Sequence, residues 1–382
     1  MAGTALEAAA SDKKDKTMGS GGTLRHSRRQ LLQEMAAAGV GLAVMPVLPA
    51  GASTDEQAIY FTWGGYDDEN MQVKYTEQFG EPPVRVTYGD AEEGLQKLRA
   101  GFVADVMHPC SGDLPRWRDA GVLQPIDTSR LKNWPDLFPN LRELPVSLAE
   151  GKTWMAPWEW GQTSITYRTD LVELPNGEET WGILWDTKNE GKISVIDSAE
   201  DTWWVAAIYG GVPFDKIDDA AMTKVADLLK QQRPLVRMYS SDNTQQEQAL
   251  ASGEVVAAMT WADAATSLIK QGLPVKFARP KEGTLTWVCG MVLHKDAPHL
   301  ERAYTLIDGM LSPEVGRYCI ETWGYGHSNP KSFEGVDPAV LAAVGITGDP
   351  QSVLDTGHFY VPQPPDIATR INRDWEQIKA GF

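Results

Sequence analysis

The chain has 382 residues, more than one ordinary domain needs, and 35 Lys+Arg against 52 Asp+Glu leave a formal net charge of −17. Such a balance speaks against nucleic acid or an anionic membrane surface as partner and favours small cationic ligands. Three cysteines (Cys110, Cys289, Cys319) are too few for a disulfide scaffold, and their spacing fits no zinc pattern.

Residues 1–52 read as an export signal, not as part of the fold. Ser27-Arg28-Arg29-Gln30-Leu31-Leu32-Gln33 is a paired-arginine segment, and an apolar run from Met35 to Leu48 follows, ending in the small residues Ala50-Gly51-Ala52. Basic region, short apolar run and small-residue cleavage site are the parts of a leader peptide, and the twin arginines predict the twin-arginine translocase as partner during export. Pro46 and Pro49 interrupt the run, which is too short for a confident membrane span. No cysteine stands at the cleavage point, which argues against a lipoprotein, and Met18 is an alternative start. Removing the six basic and four acidic residues of this leader leaves a net charge near −19 on residues 53–382.

Beyond the leader, short apolar strands alternate with amphipathic helices, the pattern of α/β layers. Ala58–Trp63 reads as a strand, Asp67–Phe79 as a helix, Val84–Tyr88 as a strand and Ala91–Ala100 as a helix. Ala104–Met107 is a third strand, and Leu114–Ala120 is a helix stopped by Gly121. A strand pair is expected around Trp154–Ala156 and Ser164–Tyr167, then a strand over Ile193–Asp197 leading into a helix with Trp203 and Trp204. Helices follow at Met222–Gln231 and Thr244–Ala251, a buried strand at Val255–Met259, a return strand at Trp287–Leu293 and a helix at Leu300–Met310. The joints near 157–161 and 280–290 are the expected crossings between two lobes.

All fourteen tryptophans lie after residue 60, and several stand where strands give way to turns: Trp63, Trp158 and Trp160, Trp261, Trp287. Core packing accounts for most of them. Indole faces at strand ends beside glycines and acids can also line a cleft and attract ammonium groups. No nucleophile elbow, phosphate-binding loop, dinucleotide turn or histidine-rich metal motif is present, so an exported enzyme is a distant alternative. No cofactor and no metal is expected.

The order of several landmarks carries a resemblance. They are Trp63-x-x-Tyr66, Ala104-Asp105-Val106, Ala120-Gly121-Val122-Leu123-Gln124-Pro125-Ile126-Asp127 and Pro157-x-x-Trp160-Gly161. Trp181-x-x-Leu184-Trp185-Asp186, Gly253-Glu254-Val255, Pro280-Lys281-Glu282-Gly283-Thr284, Trp287 and Gly324-Tyr325 continue the series. From about Ile59 to Asn329 the chain resembles the periplasmic spermidine/putrescine-binding proteins, a branch of the bacterial extracellular solute-binding family that feeds ABC transporters. The resemblance implies an α/β, two-lobed periplasmic-binding-protein fold (type II), with the ligand cleft between lobes joined by crossing strands. The implied lobes are 53–160 plus about 288–335, and 161–287 plus about 336–382. It also implies a monomer that hands a small cationic amine to a membrane permease.

By the same resemblance Trp63, Tyr66, Trp261, Trp287 and Tyr325 form the aromatic box, and Asp197 and Glu200 are the acidic pair at the start of a second-lobe helix, where both also suit helix capping. Two departures weaken the inheritance of a polyamine ligand. Trp63-Gly64-Gly65-Tyr66 and Trp287-Val288-Cys289 lack the carboxylates that the family presents there, and the ligand loop His108-Pro109-Cys110-Ser111-Gly112-Asp113 has lost its aromatic residue. A lost charge-assisted contact costs on the order of 2 kcal/mol. Asp113 or Asp263 is a possible substitute. Cys110 and Cys289 take two altered ligand positions of one lobe, so a disulfide or a thiol-lined subsite is conceivable, although two unrelated small buried residues is the preferred reading. Aromatics with fewer acids would suit a quaternary or mono-amine.

Overall fold

The computed structural model describes residues 57–382 except 215, 216, 241 and 347. The predicted export signal therefore lies outside the described residues. The strands are β1 (Ile59–Trp63), β2 (Val84–Tyr88), β3 (Val106–Met107), β4 (Leu123–Gln124), β5 (Leu148–Ala149), β6 (Lys152–Thr153) and β7 (Ala156–Arg168). They continue with β8 (Ile193–Ile196), β9 (Val236–Ser240), β10 (Ala257–Trp261), β11 (Val275–Phe277), β12 (Leu285–His294), β13 (Gly326–His327) and β14 (His358–Phe359).

One path of pairing runs β2-β1-β3-β12-β7-β10-β8-β9, and β5 and β6 form a separate hairpin. The outer thirds of this path are parallel: β1 with β2 and β3, and β8 with β9 and β10. Helices cover them, as parallel strands require. The two halves meet through long antiparallel strands. β12 pairs β7 over Leu285–Met291 and β3 over Val292–Leu293, so it belongs to both halves. This is the two-lobed α/β architecture with crossing strands.

The expected strand pair near 154–167 is instead one strand of 13 residues, β7, buried along nearly its whole length. Its two apparent breakers are both absorbed. Pro157 lies opposite Gly290, where the register of β12 shifts, so its missing N–H falls at an irregularity of the ladder. At Gly161 a Cβ would overlap the six-membered ring of Trp287, so the glycine is there for close approach and not for a turn. The polar side chains of β7 are hydrogen-bonded inward: Gln162 Nε2 to Thr284 Oγ1 at 2.7 Å, Ser164 Oγ to the Ala278 carbonyl at 2.8 Å, and Thr166 with Thr260 at 2.7 Å.

Two apolar clusters sandwich the first half, one around Tyr60, Tyr75, Trp158, Leu293 and Ile307, the other around Phe61, Leu95, Met107, Trp117 and Val292. A third fills the second half with Ile165, Trp181, Ile193, Trp203, Trp204 and Met259. The C-terminal helix Pro365–Ala380, which sequence reading left unassigned, packs there through Ile371, Trp375 and Ile378. Trp117, Trp158, Trp160, Trp181 and Trp204 are fully buried, each contributing at least the roughly 1.5–3 kcal/mol of a large apolar side chain. Trp261 differs from these. It is partly buried and packs against both the Phe61 and the Ile165 clusters, at the junction of the halves.

Candidate functional site

Four segments end at that junction: the C-termini of β1 and β10, the loop after β3, and the N-terminus of helix Ala199–Gly210. Loops at strand ends and a helix start are the usual ligand face of open α/β sheets. Trp63 closes β1 and packs on Tyr88, ring centroids 4.8 Å apart. Gly65 follows with φ +93°, a value the turn needs and an acidic side chain there would resist. Tyr66 is then placed against Trp323 (4.8 Å) and His108 (4.9 Å). Trp323 stands 6.1 Å from Tyr325, and Tyr325 meets Trp287 edge-on at 4.9 Å. Trp287, Tyr325, Trp323 and Tyr66 thus form a continuous aromatic row. Trp323, at the end of helix Pro313–Trp323, was missed in the sequence because it precedes the Gly324-Tyr325 landmark. Trp160 is structural: its Nε1 donates to the His327 carbonyl at 3.0 Å and its ring stacks on Phe333.

The first-lobe loop corrects the preferred reading of the cysteines. Cys110 and Cys289 are disulfide-bonded, with Cα atoms 3.8 Å apart, leaving Cys319 as the free, buried thiol among the described cysteines. The pairing follows from topology. At the shift between Cys289 and Gly290, the Gly290 N–H turns to the Pro109 carbonyl at 3.1 Å and the Ser111 N–H to the Val288 carbonyl at 2.8 Å. Cys110 and Cys289 thereby become an antiparallel bridge pair. Ser111 itself is buried beside it. Asp113, considered above as a substitute carboxylate, is held by Arg116 at 2.6 Å. Asp263, the other, accepts both hydrogen bonds from the Asn243 amide (2.9 and 2.8 Å) and one from Tyr325, although burial pushes its carboxyl above the usual range.

On the second-lobe side the capping register is one residue later than expected. Ser198, not Asp197, is the N-cap, accepting from the Asp201 N–H at 3.2 Å, while Ser198 Oγ donates to Asp201 Oδ2 at 2.6 Å. Asp197 points away from the aromatic row, to Lys379 Nζ at 2.7 Å and Trp375 Nε1 at 3.2 Å on the C-terminal helix. Asp201 takes the inward place: Tyr360 and Thr163 donate to it, and burial raises its pKa against those hydrogen bonds. Glu200 keeps part of its surface in contact with solvent, but its carboxyl is crowded by the neighbouring walls and faces the first-lobe loop, close enough that a Cβ on Gly112 would sit 3.8 Å from its Oε1. Desolvation by the opposing walls, then the charges of Asp113 and Asp201, push Glu200 up to about 7.

Buried beneath the row, Glu159 on β7 was hidden in the sequence inside Pro157-x-x-Trp160. Its carboxylate lies 3.5 Å from His108 Nε2, both side chains fully buried, and 3.8 Å from Cys319 Sγ. A surface groove of about 680 Å³ elsewhere, between Lys74 and Arg130, is lined by paired charges such as Arg130–Glu301 and Lys74–Glu314 and has no comparable convergence.

Fold and site together define a solute-binding protein of the two-lobed kind. Residues 70–346 match the family described as bacterial extracellular solute-binding protein, and the chain belongs to it. The putrescine/agmatine-binding protein of Pseudomonas aeruginosa is 27% identical over 341 residues, 84% of this chain and 91% of that protein. The putrescine-binding periplasmic protein PotF of Escherichia coli is 26% identical, covering 89% of this chain and 96% of its own length. The fold is also that of the spermidine/putrescine transporter substrate-binding protein PotD of Streptococcus pneumoniae, with TM-score 0.74 at 20% identity over 85% of this chain and 99% of the other.

Proposed function

We propose that this protein captures a polyamine or related amine cation between its lobes and delivers it to the membrane permease of an ABC transporter. The observation that carries this reading is the aromatic row from Trp287 to Tyr66, with Asp263 hydrogen-bonded to Tyr325 and with Glu200 and Asp201 at the start of the second-half helix, Glu200 facing the first-lobe loop. Ring faces attract the ammonium groups and their methylene chain, and carboxylates fix the nitrogens. The names of the curated relatives support the same class of ligand. In this reading the lobes comprise 53–160 plus about 288–335 and 161–287 plus about 336–382. The chain is exported by the twin-arginine route to the periplasm and acts as a monomer.

A second reading, a quaternary or mono-amine, is favoured by one feature. The Cys110–Cys289 disulfide stands where the family resemblance places polar ligand groups, so neither of these two positions supplies a carboxylate, and the nearby Glu159 is buried beneath the row. Calorimetric titration of putrescine and a quaternary amine into wild type and Trp287→Ala separates the roles. The aromatic reading expects at least a tenfold loss of affinity in the variant; unchanged affinity removes Trp287 from the site.

A further inference from the structure

The floor of the site, beneath the aromatic row, holds a buried cluster of metal-ligating side chains. Cys289 and Glu159 are directly paired across β12 and β7, so their side chains share one face of the sheet. Cys110 is the bridge partner of Cys289 on its other side, and His108, two residues before Cys110, returns to the same face. The result is that His108, Glu159 and Cys289, all buried, bring one nitrogen, one oxygen and one sulfur within 4.8 Å of one another. His108 Nε2 and Glu159 Oε1 are 3.5 Å apart, and neither makes a hydrogen bond. These two atoms face only each other, near the outer limit of an ion pair, while Cys319 donates to the other carboxylate oxygen, and a buried pair left without hydrogen bonds calls for an occupant or a role.

The surroundings match those of a metal site. Two ligands on a tetrahedral ion at bond lengths of about 2.0–2.2 Å lie roughly 3.3–3.6 Å apart, the spacing of the nitrogen and oxygen here. Thr62 Oγ1 is 3.0 Å from His108 Nδ1, an outer hydrogen bond that presents the other ring nitrogen to the cluster. Cys319 Sγ lies against the second oxygen of Glu159 at 3.8 Å, fixing the carboxylate. Only the disulfide keeps the sulfur from serving as a thiolate.

We propose that reduction of Cys110–Cys289 unmasks a binding site for a borderline divalent ion such as Zn2+, with His108 Nε2, a Glu159 oxygen and Cys289 Sγ as ligands. A dithiol reductant supplies the two electrons and two protons: the Cys110–Cys289 bond breaks, two thiols form, and the dithiol closes to its own disulfide. Metal binding then displaces the Cys289 proton. Cys110 is half-buried where Cys289 is buried, so attack is expected at the Cys110 sulfur. Three protein ligands leave a coordination position vacant for a small donor. The site does not depend on the identity of the transported solute.

The test is cobalt and zinc titration of the exported chain under anaerobic conditions, oxidised and after reduction by a dithiol that is then removed. Cys110→Ser, which leaves Cys289 a free thiol without any reductant, is titrated beside it. Reduced wild type and Cys110→Ser are expected to bind one equivalent of Co2+ with a thiolate charge-transfer absorption that Zn2+ abolishes. Oxidised wild type and Cys289→Ser should show no such band. Within the Cys110→Ser background, His108→Gln or Glu159→Gln should weaken binding at least about tenfold. Absence of the band in both reduced wild type and Cys110→Ser overturns the proposal, as does loss of the native circular dichroism in both, because the site would then not exist in a folded form.

Discussion

Glu200 shows how one side chain couples charge, shape and function. Its ordinary carboxyl value of 4.5 rises to about 7 in the folded protein, first through desolvation and then through Asp113 and Asp201. Between those two values the folded state holds more proton than the unfolded chain, so this group makes stability fall as pH rises from 4.5 to about 7, with no further change above. Ligand affinity has the opposite sign, since an ammonium group is held by the ionised form. Amine affinity of wild type should therefore strengthen across about pH 6 to 8, and Glu200→Gln should flatten both profiles. Equal pH dependence in the two proteins would place Glu200 outside the site. The neighbouring residues illustrate what sequence could resolve. That an acid follows the strand Ile193–Ile196 was legible, but choosing among Asp197, Glu200 and Asp201 needed the cap. Ser198 as N-cap rotates the set by one position, turning Asp197 to Lys379 and Asp201 to Tyr360. A capping box read as Ser198-x-x-Asp201 would have found it.

At the level of elements, the crossing strands β7 and β12 organise everything else. About half of the helices and strands were legible from apolar periodicity; the helices Ala262–Lys270, Pro313–Trp323 and Pro365–Ala380, strand β9 and most of the two-residue strands were not assigned, the last because two residues show no period. β7 was not read as one strand, since Pro157 and Gly161 read as breakers, and their accommodation depends on Gly290 and Trp287, well over a hundred residues away. The same distance hid Glu159; the disulfide was raised by the family resemblance but not preferred, because no local signature supports it. The disulfide joins positions 179 residues apart. Closing so long a loop restricts the unfolded chain by about 5 kcal/mol on chain entropy alone, and since measured effects usually fall below that, reduction should cost about 2–5 kcal/mol in a urea-denaturation experiment. A change below about 1 kcal/mol would mean that the crossing is held by its strand pairing alone.

For the whole molecule, two α/β halves linked by antiparallel strands, with aromatics and carboxylates at their junction, are an arrangement that the proposed ligand would close by touching both sides. Trp261 packs on the cores of both halves, and Glu200 from one faces Gly112 of the other, so the groups that would feel a ligand are the groups that report closure. The acidic balance of the chain, net −17, fits attraction of cations to the cleft without specifying which. The family was legible in the order of the landmarks. The ligand was not, because the residues that depart from the family pattern, Gly65 and Cys289, are the ones that would select it. The most direct measurement is a thermal-shift panel of diamines, polyamines, quaternary amines, amino acids, sugars and anions on the exported protein. An amine cation at one hundred times its Kd should add about 2.7 kcal/mol of stability, read as a clear rise in Tm. Stabilisation by neutral sugars or anions alone, with every amine silent, would contradict capture of an amine cation.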